Sequence, residues 1–145
     1  MTDFTATFIR ILGAFLLGGV IGLEREKKGH IAGLRTHILV CVGSCLIMLT
    51  SIYVYEMYQG KAAVDPSRIA AGVVTGIGFL GAGTIIRSIR GSEGIKGLTT
   101  AASIWVSSAI GLAVGCGYLS GAIAATVVTF LTLSFLKTFE NKLQK

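Results

Sequence analysis

Five apolar runs of about twenty residues, parted by short loops that hold most of the charge, constrain this chain more than any other feature. The runs extend from Phe4 to Leu23, Thr36 to Tyr58, Pro66 to Arg87, Leu98 to Gly115 and Tyr118 to Leu136. At 1.5 Å of rise per residue, each is long enough as a helix to cross a hydrocarbon core of about 30 Å. A soluble domain of 145 residues needs a polar exterior, yet only 14% of these residues are charged and 52% are hydrophobic. The expected fold is therefore all-α and integral to a membrane, one transmembrane domain with no room for a soluble one beside it. The first nine residues carry no Lys or Arg, and the first run ends in Leu23-Glu24-Arg25-Glu26-Lys27-Lys28 without a small-residue cleavage site. A retained first helix is expected rather than a signal peptide.

The 13 basic residues outnumber the 7 acidic ones, but they lie between apolar runs and form no single stripe. That distribution argues against nucleic acid as a partner and for membrane topology. Arg25, Lys27, Lys28 and Arg35 occupy the first loop, Arg87, Arg90 and Lys96 the third, and Lys137, Lys142 and Lys145 the tail. The second loop has Lys61 and Arg68, and the fourth has none. Ten against two places the first loop, the third loop and the tail in the cytoplasm, with the N-terminus outside.

A shift of 64 residues aligns 15–44 with 79–108, and ten of the thirty positions are identical, among them the loop pattern Ile31-x-Gly33-Leu34-x-Thr36 and Ile95-x-Gly97-Leu98-x-Thr100. The pattern predicts a duplication in which helices one and two correspond to helices three and four. Both copies run in the same sense, so the repeat is parallel, with its axis along the membrane normal and helix five as an addition.

Gly72, Gly76, Gly78, Gly81 and Gly83 stud the third run. Gly76, Gly78 and Gly81 match a dinucleotide-binding spacing, but without a strand–turn–helix context that match carries nothing. Gly72 and Gly76 form a G-x-x-x-G pair, which predicts close helix packing, the alternative being a broken helix that lends carbonyls to an ion. Asp65, Pro66 and Arg68 read as a helix start with an ion pair one turn along, or as part of an outer mouth where Asp65 and Glu56 attract cations.

At the other side, Glu24 follows the first run directly, at a depth where a carboxylate is costly unless paired. The segments Gly33-Leu34-Arg35-Thr36 and Gly97-Leu98-Thr99-Thr100 open helices two and four nearby, and their free N–H groups favour a negative group, for which Glu24, a lipid head group or a partner carboxylate are candidates. Glu24, Arg25, Arg35, Thr36, Asp65, Arg68, Thr99, Thr100 and Trp105 are thus the candidate ion or partner residues. Arg10 is read as snorkelling to the outer head groups. Cys41, Cys45 and Cys116 read as packing residues, and His30 and His37 are too isolated to suggest a metal site. No nucleophile–base pair and no phosphate loop emerge, so neither an enzyme nor a cofactor is expected.

Three stretches together resemble the bacterial MgtC/SapB family: Gly18 to Glu26 with Ala32-Gly33-Leu34-Arg35-Thr36-His37, Asp65 to Ala71 continuing through Gly76 to Gly83, and Gly97 to Trp105. The resemblance spans nearly the whole chain and is to the family's membrane domain, since many members continue into a soluble domain where this sequence stops at Lys145. Gly72 stands where members often have Gln, and Val106 where the virulence-associated branch has Cys. The resemblance implies a bacterial inner-membrane protein tied to growth under magnesium limitation and, in some pathogens, to survival inside host cells. For the founding branch it implies inhibition of the F-type ATP synthase through membrane contacts. Three roles remain open: a regulator that binds other membrane proteins, an oligomeric cation channel or transporter, and a scaffold that holds anionic membrane lipids.

Overall fold

The computed structural model describes residues 3–61, 63–87 and 95–143, with side chains described up to 85 and from 95 to 135. Arg90 and Lys145, two of the loop cations counted above, lie outside the described residues, as do the side chains of Arg87, Lys137 and Lys142. Five helices follow one another: α1 (Phe4–Lys27), α2 (Leu34–Tyr58), α3 (Ser67–Gly83), α4 (Leu98–Cys116) and α5 (Leu119–Leu143). By length and composition α1, α2 and α4 can each cross a membrane, whereas α3 and the Leu119–Phe135 part of α5 are shorter apolar helices.

Several boundaries differ from the sequence reading: α2 begins two residues earlier, at Leu34, α5 runs on to Leu143, and the ends of α1 and α3 shift by about a turn. The first helix continues one turn beyond Leu23, because Gly29 adopts φ +68° and lets the chain fold back. His30 N–H then donates to the Arg25 carbonyl at 3.1 Å and Gly29 N–H to the Glu26 carbonyl at 3.0 Å, which closes the helix end. The third helix stops at Gly83 instead of Arg87, where Thr84 turns its hydroxyl onto the Gly81 carbonyl at 2.8 Å. Beyond it, β1 (Ile86–Arg87) and β2 (Ile95–Lys96) pair antiparallel as a minimal ribbon.

Helices α1, α3 and α5 run one way and α2 and α4 the other. Gly18 and Gly22 of α1 meet His37 and Leu34 of α2, so those two are antiparallel, while Gly111 and Gly115 of α4 meet Cys41 and Cys45 of α2, so these two are parallel. The alternation is what the parallel repeat demands. Both α2 and α4 begin after a glycine that makes no side-chain cap, Gly33 and Gly97, and Gly97 needs its freedom at φ +95°.

The tight core is α1, α2 and α4, and glycine makes it possible. A Cβ on Gly18 would lie 2.8 Å from the Cys41 Cβ and the His37 carbonyl, and one on Gly22 would lie 2.7 Å from the Leu34 Cα. Further along the same face of α2, a Cβ on Gly115 would lie 2.7 Å from the Met48 Cβ and the Cys45 carbonyl, and one on Gly111 would overlap the Cys41 carbonyl. Two G-x-x-x-G pairs, from two helices, therefore grip one face of α2, close enough for dispersion contacts that lipid cannot match. Cys41 and Cys45, both fully buried free thiols, are the small residues between them. Ala14, Ile21, Leu49, Ile110 and Val114 complete this core.

The third helix is held differently. At one end the Ser51 hydroxyl donates to the Pro66 carbonyl, and at the other Gly81 rests on Ala101, with 3.5 Å from a Cβ on the glycine to the Ala101 Cβ. Gly72, Gly76, Gly78 and Gly83 meet nothing within 4 Å. The packing expected of the third-run glycines is thus met within this chain by Gly81, and the close helix contacts are made by Gly18, Gly22, Gly111 and Gly115 instead. Many large apolar side chains, including Phe8, Leu16, Leu39, Phe79, Leu80, Val128 and Phe135, point outward. Around a helical bundle this exterior suits lipid rather than water.

Candidate functional site

The charges at the loop end of α1 converge in a buried cluster. The extra helical turn past Leu23 brings Glu24, Arg25 and Lys28 over the ends of α4 and α5. The Glu24 side chain is 4% exposed, and its Oε1 lies 2.6 Å from Lys28 Nζ, one turn along. Arg25 is 2% exposed as a whole residue. Its Nη2 donates to Thr100 Oγ1 at 3.2 Å, and its Nη1 lies 3.8 Å from Glu24 Oε2. Lys28 also donates to the carbonyls of Leu133 at 2.9 Å and Ser134 at 3.3 Å, so a single ammonium ties α1 to α5.

Glu26 points the other way. Its Oε2 accepts from the Leu34 N–H at 2.8 Å and so occupies the open N-terminus of α2. The negative group expected at that helix start is therefore Glu26 and not Glu24; the added helical turn rotates Glu24 inward. Glu24 and Arg25 are the buried charges here, while Glu26 and Lys28 reach their partners from exposed positions. Enclosing ions of this kind costs several kcal/mol each unless they are paired, which explains the dense pairing. Among the described residues Arg25 Nε, Glu24 Oε2 and the Ser107 hydroxyl are shielded without a hydrogen bond.

His37 joins the cluster from α2. It is fully buried, with Nδ1 2.8 Å from the Gly33 carbonyl and Nε2 3.0 Å from Ser103 Oγ, and Ser103 Oγ lies 2.8 Å from the Thr100 carbonyl. Thr100 thus meets Arg25 through its hydroxyl and Ser103 through its carbonyl. Sequence spacing did not reveal His37 as part of a site, because its partner stands 66 residues away.

The other candidates sit apart. Arg35, Thr99, Asp65 and Arg68 are exposed, and Thr36 is half-buried. Trp105 is 50% exposed on the outward side of α4, away from the cluster. Asp65 accepts from the Ser67 hydroxyl at 2.7 Å and the Ser67 N–H at 2.8 Å, and these bonds hold its carboxyl below the usual carboxylate range. The expected helix-start role is met this way, with Pro66 following. At the same end, Arg10 Nη1 donates to the Gly115 carbonyl at 2.8 Å, neutralising the C-terminal end of α4. Asp3, Thr7, Arg10, Glu56 and Cys116 line a cavity of about 440 Å³ there. Glu56 therefore belongs with Asp3 and Arg10. Among the described residues no group of three His, Cys, Asp or Glu is placed to hold a metal ion.

The second opening is a cleft of about 610 Å³ between α2 and α3. Leu39, Val40 and Ile47 form one wall and Ile69, Val73 and Ile77 the other, with Gly43, Gly72 and Gly76 widening it.

An apolar-surfaced bundle with charge buried at one end and a cleft open to its side is a polytopic membrane protein. The chain belongs to the MgtC family, whose model matches residues 11–142. It is 48% identical over 132 residues to the putative magnesium transporter YhiD of Escherichia coli K12, covering 89% of this chain and 60% of that protein. It is 41% identical over 134 residues to protein MgtC of Brucella abortus, covering 92% of this chain and 52% of that protein, and 40% identical over 145 residues to protein SrpB of Synechococcus elongatus, covering 96% and 79%. The chain spans between about half and four fifths of the length of these relatives. No solved structure matches it.

Proposed function

We propose that this chain is a regulator in a bacterial inner membrane, N-terminus outside, that acts on ion homeostasis or membrane energetics by binding other membrane proteins. The observation that carries this reading is the contrast between the two sides of α2. One side is sealed by backbone-to-backbone packing against α1 and α4; the other opens into the apolar cleft beside α3, where Gly43, Gly72 and Gly76 leave room for a helix to approach. The polar groups do not favour a path through one chain. The cavity at Arg10 and the cluster at Glu24 are separated by the layer of Cys41, Cys45, Gly111 and Gly115, where backbones touch.

A cation channel or transporter, formed by several copies, is the second reading. The name of the relative YhiD, a putative magnesium transporter, and the carboxylates Asp3 and Glu56 at the cavity of about 440 Å³ favour it.

Two measurements separate the readings. Photocrosslinkers at Val73 and Gly76 in native membranes yield a second membrane protein under the first reading and self-association alone under the second. Liposomes carrying the purified chain stay tight to Mg²⁺, Na⁺, K⁺ and H⁺ under the first reading. Flux that falls in Glu24→Gln or Asp65→Asn would establish transport.

A further inference from the structure

We propose that His37 is a proton-sensing joint between α2 and α4, with Ser103 as the group that reports its protonation state to Thr100 and Arg25. The argument is one of donors and acceptors. A backbone carbonyl only accepts, so the nitrogen 2.8 Å from the Gly33 carbonyl, Nδ1, carries hydrogen in every state of the ring. A neutral ring then presents a bare Nε2 to Ser103, and Ser103 must donate its single hydrogen there. That hydrogen is the one with which Ser103 otherwise bonds the Thr100 carbonyl at 2.8 Å. A protonated ring donates through Nε2 instead, at 3.0 Å, and frees the Ser103 hydrogen for Thr100. One proton on His37 thus decides whether the Ser103 hydrogen goes to α2 or to the first turn of α4, while the bond between Ser103 and the ring persists in both states.

The charges around the ring give this a direction. From α1 come Glu24 and Arg25, with Lys28 held by Glu24 and Glu26 held by the Leu34 N–H. From α4 come only hydroxyls, those of Thr100 and Ser103. On α2 itself Arg35 faces outward. With Glu24 against Arg25 as the buried charges facing it, the neutral ring leaves its surroundings balanced, and it lies in the first turn of α2, whose dipole favours negative charge. A proton on His37 therefore adds a net positive charge to a buried, balanced group, beside Arg25 and the positive helix end. Acidification loosens the α1–α2–α4 junction at this end while Gly18, Gly111 and Gly115 hold the rest.

The test is ¹⁵N NMR of histidine-labelled full chain in lipid nanodiscs between pH 8 and pH 5, with thermal unfolding followed over the same range. His30 is the other histidine, and an H30N variant identifies the His37 signals. At pH 8 the expected state is the neutral ring with hydrogen on Nδ1. On acidification Nε2 gains hydrogen, and Tm falls by about 4 °C, a fall that disappears in H37Q. In S103A the cation has lost its acceptor, so the titration midpoint falls by about one pH unit; this variant carries the test if H37Q does not fold. A neutral ring with hydrogen on Nε2, a ring that does not titrate in this range, a midpoint unmoved in S103A, or an equal fall of Tm in H37Q would each overturn the proposal.

Discussion

Gly111 on α4 lies so close to the carbonyl of Cys41 on α2 that a methyl group has no place between them. G111A is therefore expected to destabilise the bundle by about 1–3 kcal/mol through overpacking, whereas G72A, where nothing lies within 4 Å, changes stability by less than about 0.5 kcal/mol. Thermal unfolding of the two variants in one detergent separates them. Equal losses would mean that the α2–α4 contact is not the tight one.

Removing the Arg25 guanidinium leaves Glu24 buried with Lys28 as its remaining ion partner. R25M is expected to cost about 3–5 kcal/mol. The double variant E24Q/R25M recovers part of that loss, because the stranded charge is gone. A double-mutant cycle by chemical unfolding reads the coupling, and additive losses would rule out the pair as a unit.

Glu26 and Glu24 are two residues apart and do different work. E26A removes the acceptor for the Leu34 N–H and is expected to cost about 1 kcal/mol as a lost helix cap. Its signature is faster amide hydrogen exchange confined to the first turn of α2, at Leu34 and Arg35. E24A should disturb the Lys28 link to α5 and leave those amides protected.

Asp65 contributes a pH dependence of its own. Its carboxyl is held below the usual range by the Ser67 hydroxyl and N–H, so the stability it gives the start of α3 is fully present above the ordinary value of about 3.9. That stability is lost as pH falls through the lowered folded value. Carboxyl chemical shifts should place the midpoint below about 3.9, and D65N should abolish the acid-induced fraying of Ser67 and Arg68. A midpoint at the ordinary value would mean that the Ser67 bonds do not form.

The five helices and their alternating sense were legible in the sequence because apolar run length is a local property. The end of α1 was not: Glu24 to Lys27 look like loop, and only the turn at Gly29 carries the helix past them. The same shift of one turn moved the capping role from Glu24 to Glu26. Gly72 and Gly76 have the same spacing as Gly18 and Gly22 or Gly111 and Gly115, and spacing does not say which face meets another helix. His37 was invisible as a site residue for a related reason. Its meaning rests on Ser103 and Arg25, and only the pairing of α2 with α4 and α1 brings them together.

The grip of α1 and α4 on one face of α2 divides the molecule into a keel and an outrigger. A helix wedged backbone against backbone has no slack in which to slide or roll, so α1, α2 and α4 can transmit a push but cannot absorb one. The third helix, moored near its ends by Ser51 and Ala101 and in its middle by Ile77 against Ile104, makes no backbone-to-backbone contact of that kind along Gly72, Gly76 and Gly78. Beside that keel, α3 is the helix whose place the backbone contacts described here fix least.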